Sequence, residues 1–220
     1  MLILKILIAF LTVTVILLIR AEILFKKKQI YLFKPVSTIL LIAVVLIPMI
    51  SGNYFSLYYS LWILVALLFC LCGDLALMFQ ENQNAFRIGL VLFLVAHIVY
   101  ALVFLKFSGG ITASVGMTVV LAIIAAIGYS YLYPKLGPMK FSVLVYILII
   151  TYMLNRAIAT HRNGNFSNQQ AWLISIGAGL FYISDFMLAV NRFRWSFKYN
   201  RISLAFYYCG QLFIALSALS

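Results

Sequence analysis

Eight stretches of mostly apolar residues follow one another along the chain, at roughly 2–20, 30–50, 57–79, 86–106, 111–132, 139–160, 169–190 and 199–219, separated by short clusters of charge, Pro, Gly and Asn. No other feature restricts the fold as much. A helix needs ~20 apolar residues to cross ~30 Å of hydrocarbon, and lipid tolerates only segments that satisfy their own backbone N–H and C=O groups. Of the 220 residues, 66% are hydrophobic and 9% charged, more apolar surface than a water-soluble domain of this size can hide. The expected fold is all-α: a polytopic membrane helix bundle with eight transmembrane helices, forming a single integral membrane domain over residues 1–220. The turn "YPKLGP" at 133–138 is the clearest break between runs.

Lys5 ahead of an apolar stretch has the look of a signal peptide, but Arg20 and Lys26 to Lys28 follow it without a small-residue cleavage site. A retained first helix is expected. The formal charge of +12 does not point to nucleic acid, because the Lys and Arg residues lie in short segments between apolar runs instead of on one soluble face. They report topology and contact with anionic head groups. The connections after helices 1, 3, 5 and 7, with their flanks, carry Arg20, Lys26, Lys27, Lys28, Lys34, Arg87, Lys135, Lys140, Arg192, Arg194, Lys198 and Arg201, against Lys5, Lys106, Arg156 and Arg162 on the other side. The positive-inside rule then puts both termini on the non-cytoplasmic side. Cys70, Cys72 and Cys209 are odd in number and lie within apolar runs, which argues against a disulfide framework, and no His/Cys group has zinc spacing.

The chain has four acidic residues, Glu22, Asp74, Glu81 and Asp185. The two glutamates fall in connections and read as solvated charge. Both aspartates fall inside apolar runs, in "CGDLALMF" and "FYISDFMLAVNRF", where an ionisable group costs about 2.5–3.5 kcal/mol on insertion scales. With helices 3 and 7 running in the same direction, the two carboxyls share one layer near the basic end. A faint repeat supports the pairing: "GDLAL" and "SDFML" each contain D-x-x-L, and "RIGLVLFLVAH" (87–97) parallels "RISLAFYYCGQ" (201–211). A tandem four-helix unit places helices 3 and 7 in equivalent positions. Each aspartate is either a packing group paired to a cation or a chemical group. If they approach each other, mutual repulsion keeps both from ionising together, leaving one as acid and one as base.

Other polar residues have two readings each. His97, near the middle of helix 4, is either a hydrogen-bonded packing group or one that orients substrate or passes a proton; Gln211 on helix 8 has the same ambiguity. Lys34 opens helix 2 ahead of Pro35, a residue suited to a first helical turn. Lys34, Asn191 and Arg192 are either anchors reaching the head-group region or donors for a lipid phosphate. Tyr146 and Tyr152 on helix 6 read as packing or interfacial residues.

The motifs "KP" (34–35), "GDLAL" (73–77), "GLVLFLVAHIVY" (89–100), "GLFYISDFMLAVNRF" (179–193) and "YYCGQLFIALS" (207–217) together resemble the YhhN-like lysoplasmalogenase family. They occur in the family's order across most of the chain, S-D-x-x-L-A-x-N-R-F being the most specific, while 107–140 carries no matching motif. The resemblance implies an eight-helix membrane enzyme that cleaves the vinyl-ether bond of lysoplasmalogens to a fatty aldehyde and glycerophospho-ethanolamine or -choline. It maps the family's motif aspartates onto Asp74 and Asp185 as catalytic residues, and its Lys-Pro and Asn-Arg positions onto Lys34, Asn191 and Arg192. These, with His97, form the expected substrate-binding set. The implied partners are a lysophospholipid substrate, water and the surrounding membrane lipid, with no nucleic acid, no metal and no organic cofactor. The expected location is a bacterial inner (plasma) membrane.

The chemistry suits two carboxyls. A vinyl ether breaks when a proton is placed on the carbon beta to oxygen, giving an oxocarbenium ion that water captures; one carboxylic acid supplies the proton and one carboxylate stabilises the cation and activates the water. The alternative reading of the same acids and repeat is a proton- or cation-coupled transporter of a lipid or small solute.

Overall fold

The computed structural model describes residues 2–110, 113–162, 164–195 and 202–219. Among them are eight α-helices: α1 (Leu2–Ile23), α2 (Lys27–Ile50), α3 (Leu57–Leu77), α4 (Gln83–Phe107), α5 (Val115–Leu132), α6 (Lys140–Ala159), α7 (Asn168–Phe193) and α8 (Ile202–Leu216). Two 3-10 turns, Tyr133–Lys135 and Gly137–Met139, form the expected break between α5 and α6. Seven of the helices, α5 and α6 counted with their flanking turns, are long and apolar enough to cross a bilayer. The described part of α8 is 15 residues, ~22 Å at 1.5 Å per residue. The expected start of the eighth helix at 199, with Lys198 and Arg201, lies outside the described residues.

Local chemistry starts several helices where the apolar runs begin. Ser56, Asn82 and Ser114 cap α3, α4 and α5 by accepting from Tyr59, Asn84 and Met117 backbone N–H groups. Ser167 and Gln170 form a reciprocal capping box at α7, at 3.2 and 3.0 Å. The second helix departs from expectation: it starts at Lys27, so Lys34 and Pro35 sit within the helix instead of opening it. Lys27 to Phe33 continue the helical run, and a membrane helix accommodates an internal Pro when neighbouring groups satisfy the backbone it disturbs.

Apolar residues divide by face. Leu18, Leu41, Ile63, Leu67, Ile174 and Phe181 are buried between helices, whereas Phe10, Val13 and Ile16 on α1 and Val119, Ile123 and Ile127 on α5 point outward. An outward apolar face on nearly every helix is stable only against hydrocarbon, and the chain is an integral multi-pass membrane protein.

The packing repeats with a four-helix offset. α3 lies along α4 as α7 lies along α8, and α2 packs on α8 as α6 packs on α4. Close approach is built differently in the two pairs. At α3–α4, a Cβ on Gly89 would stand 2.7 Å from Leu77 Cδ2 and 3.5 Å from the Gly73 carbonyl. At α7–α8, Ser184 Oγ donates to the Ser203 carbonyl at 2.8 Å, and Gly177 and Gly210 approach so closely that a Cβ on either would lie 2.8 Å from the other's carbonyl oxygen. These two tight pairs hold the aspartate-bearing helices α3 and α7 in the bundle.

Candidate functional site

Asp74 lies one turn from the end of α3 and is 2% exposed. Its Oδ1 is 3.6 Å from Lys34 Nζ. Its Oδ2 accepts from Thr38 Oγ1 at 2.7 Å and from the Tyr207 hydroxyl at 2.8 Å. Lys34 and Thr38 reach the same carboxylate because residues four apart share one face of α2. The Tyr208 hydroxyl donates to the Lys34 carbonyl at 3.2 Å, tying α8 to the same turn of α2. A buried ion pair persists only where further hydrogen bonds satisfy the carboxylate's remaining lone pairs, and Thr38 and Tyr207 do so here.

Asp185 on α7 has different company. Its Oδ2 accepts from the Tyr146 hydroxyl of α6 in a short bond. His97 Nε2 stands 3.7 Å away, beyond hydrogen-bond length, with its ring against Tyr146 and Phe181 at centroid distances of 5.4 and 4.6 Å. Among the described residues no Lys or Arg pairs with Asp185. One carboxyl therefore has an ammonium and two hydroxyls, the other a phenol and an imidazole.

Both aspartates face one small polar chamber of about 50 Å³, which Glu22, Lys34, Ser184 and Tyr207 also line. Beyond Asp185 an apolar chamber of about 60 Å³ opens between Phe86, Phe93, Tyr146, Phe186 and Phe193. The two share Leu77, Phe93, Asp185 and Leu188 as a common wall. Toward the basic end the polar chamber meets a vestibule of about 310 Å³ at Glu22, Leu77 and Gln80. There Lys27 Nζ donates to Glu81 Oε1 at 3.3 Å. The order is apolar chamber, carboxyls, polar chamber, basic rim.

Sequence reasoning located some of these residues and missed others. Lys34 pairs with Asp74, and His97 lies beside Asp185 without a hydrogen bond to it. Asn191 and Arg192 lie two turns beyond Asp185 and line none of these chambers; the Arg192 guanidinium is over the Phe86 ring, 4.6 Å from its centroid. Tyr146, expected to be a packing residue, bonds Asp185 directly. Glu22, expected to be a solvated connection residue, ends α1 only 9% exposed and lines the polar chamber. Thr38, at i+4 from Lys34, was the one missed partner with a readable sequence signal. Gln211 is fully buried, with neither amide atom hydrogen-bonded. Among the described residues no three His, Cys, Asp or Glu side chains converge as metal ligands would.

Comparison with known proteins gives this site a family. The chain is 34% identical over 163 residues to lysoplasmalogenase TMEM86A of Bos taurus, covering 71% of this chain and 64% of that protein. It is 34% identical over 159 residues to lysoplasmalogenase TMEM86A of Homo sapiens, with 71% and 64% covered. Lysoplasmalogenase TMEM86B of Rattus norvegicus is 32% identical over 161 residues, with 72% and 62% covered. The chain thus spans just under two thirds of the length of the curated relatives it matches. No solved structure matches it. The sequence model of the YhhN family matches residues 29–218, which include both aspartates and every helix but the first, and the chain belongs to the YhhN family.

Proposed function

We propose that this protein hydrolyses the vinyl-ether bond of a lysoplasmalogen, releasing a fatty aldehyde and glycerophospho-ethanolamine or -choline. The observation that carries the reading is the junction itself: two carboxyls, one paired with a lysine and one with no cation partner among the described residues, face one chamber, between an apolar compartment and a polar one that leads to a basic rim. The names of its relatives point to the same reaction.

The difference in charge balance supports one division of roles. Asp74, matched by Lys34, serves as the carboxylate, and Asp185, which has no cation partner among the described residues, delivers the proton. Asp185 protonates the alkenyl carbon beta to oxygen, and the oxocarbenium ion that forms is stabilised by Asp74. Water adds to the cationic carbon as Asp74 takes its proton, giving a hemiacetal. Asp185 then accepts the hemiacetal hydroxyl proton while Asp74 returns one to the departing glycerol oxygen, so aldehyde leaves and both carboxyls regain their starting states. Tyr146 orients Asp185, and His97, close to the same carboxyl, is placed to contact substrate once it is bound. The alkenyl chain enters the apolar chamber, which at about 60 Å³ must widen to hold it. The head group occupies the vestibule beside Lys27, while Asn191 and Arg192 would meet its phosphate only from outside that vestibule, at the basic end of α7.

The protein acts as a single integral membrane domain over residues 1–220, in a bacterial inner (plasma) membrane. The basic end faces the cytoplasm and both termini lie on the non-cytoplasmic side, as the distribution of Lys and Arg supports. Purified protein incubated with a lysoplasmalogen and, separately, an ester-linked lysolipid tests the reaction. Free aldehyde from the first alone supports it, and no aldehyde at any enzyme concentration sinks it. The four-helix offset in the packing is what favours the second reading, a proton- or cation-coupled transporter. Gradient-dependent uptake into sealed vesicles without aldehyde release would select that reading.

A further inference from the structure

The four acidic residues cluster at the basic end of the bundle, and Arg156 lies at the other. It occupies the last turn of α6, ten residues beyond Tyr146 and therefore ~15 Å further along the helix from the carboxyls. It is 1% exposed. Nη2 donates to Asn155 Oδ1 at 3.1 Å and Nη1 reaches the Gly110 carbonyl at 3.5 Å, while Nε has no hydrogen-bond partner. Among the described residues no carboxylate pairs with it. The guanidinium also lies over the Tyr152 ring, 5.4 Å from its centroid, a weak contact for a cation. With two neutral acceptors, one ring and an idle Nε it has no carboxylate counter-charge among the described residues, and burial of an unmatched charge is costly.

Arg156 closes one end of a groove in this half of the molecule. About 530 Å³ lies between α5 and α6, walled by Leu121, Ala122, Ala126, Leu144, Leu148 and Tyr152, with Thr118, Asn155 and Arg156 at one end. That volume falls in the range of ligand sites, ~300–1,000 Å³. The groove exists because α5 turns small residues toward α6 and buries only Leu121, Ala125 and Leu132 among its described residues. From Thr118 to Ser130 it runs 12 residues, ~18 Å, against ~15 Å for one leaflet of a ~30 Å hydrocarbon core. Thr151, whose buried hydroxyl has no partner, also lines it.

From this combination we infer that the α5–α6 groove binds an anionic phospholipid, one acyl chain lying along the groove and the phosphate meeting Arg156 in the leaflet opposite the carboxyls. A free anion would satisfy Arg156 but leave the apolar length of the groove empty. The phospholipid satisfies both. This site is separate from the aspartate chamber, although Ala125 and Ile147 belong to the walls of both cavities. An occupant therefore braces α5, the helix that packs only on α6, α7 and its own following turn among the stronger contacts.

The test uses full-length protein, delipidated in detergent and observed by native mass spectrometry while dioleoyl phosphatidylglycerol, dioleoyl phosphatidylcholine or inorganic phosphate is titrated in. The expected result is one phosphatidylglycerol bound at least tenfold more tightly than phosphatidylcholine, unaffected by millimolar phosphate. Arg156→Gln and Ala126→Trp should each weaken it at least tenfold, the first by removing the charge and the second by filling the groove. Ala126 is exposed on the bundle surface, so that variant remains informative even if Arg156→Gln does not fold. Equal retention by Ala126→Trp and wild type, displacement by inorganic phosphate, or dimer masses in place of a lipid adduct would overturn the assignment.

Discussion

Asp74 and Asp185 hold equivalent places in two halves that pack with the same four-helix offset, yet their surroundings have diverged. In the first half α2 supplies a cation and a hydroxyl to Asp74, and α8 adds a phenol. In the second half α6 supplies Tyr146 where α2 supplied Lys34, and α4 brings His97. The interhelix seams differ as well: glycine against a leucine at α3–α4, a serine hydrogen bond and a glycine pair at α7–α8. Two similar scaffolds thus carry two carboxyls with different partners, because the groups next to each are set by the helix that crosses it rather than by its own helix.

The largest effect should come from erasing the difference at the reacting groups. Asp185→Asn and Asp74→Asn should each lower aldehyde release by ~10²–10⁴-fold, the usual reach of one acid or base, while size-exclusion profiles stay monodisperse. Wild-type turnover in either purified variant ends the two-carboxyl mechanism. Next, Lys34→Met leaves Asp74 buried without its cation and should cost ~3–5 kcal/mol. Combining it with Asp74→Asn should recover most of the thermal stability and none of the activity. No corresponding rescue is expected for Asp185, which pairs with no cation among the described residues.

Smaller effects probe the seams. Gly177→Ala puts a Cβ 2.8 Å from a backbone oxygen and should destabilise by ~1–3 kcal/mol, measured as a fall in melting temperature. Gly89→Ala meets only the flexible tip of Leu77 at that range and should cost less. If the two glycine variants melt alike, the seams do not differ in rigidity. The smallest change is expected from Ser184→Ala, ~1 kcal/mol for one lost hydrogen bond. Its turnover should stay near wild type, since the bond holds α8 and touches no carboxyl.

Much of this was readable before any coordinates. Apolar run length placed the helices within a few residues, because lipid imposes the same length on each. The cost of a carboxylate in hydrocarbon singled out Asp74 and Asp185 without reference to their partners. Pro35 was misread because a proline that starts a helix in water can sit inside one when neighbouring helices surround it. Glu22 was misread for a related reason: a residue at the end of an apolar run is at the lipid boundary, but only packing of α1 decides that it turns inward. Asn191 and Arg192 share a motif with Asp185 and not its chamber, since six or seven residues along a helix is two turns of height.

The amino-acid sequence alone determined the number and order of the helices, the membrane as solvent and the two costly acids, because each follows from local hydropathy and needs no partner. Tertiary structure alone decided which carboxyl received the lysine and which the phenol, that Glu22 joined them, and that Arg156 ended a groove with no acid paired to it among the described residues. Those choices depend on which faces of distant helices meet, and helical period places a residue on a face without saying what that face will touch.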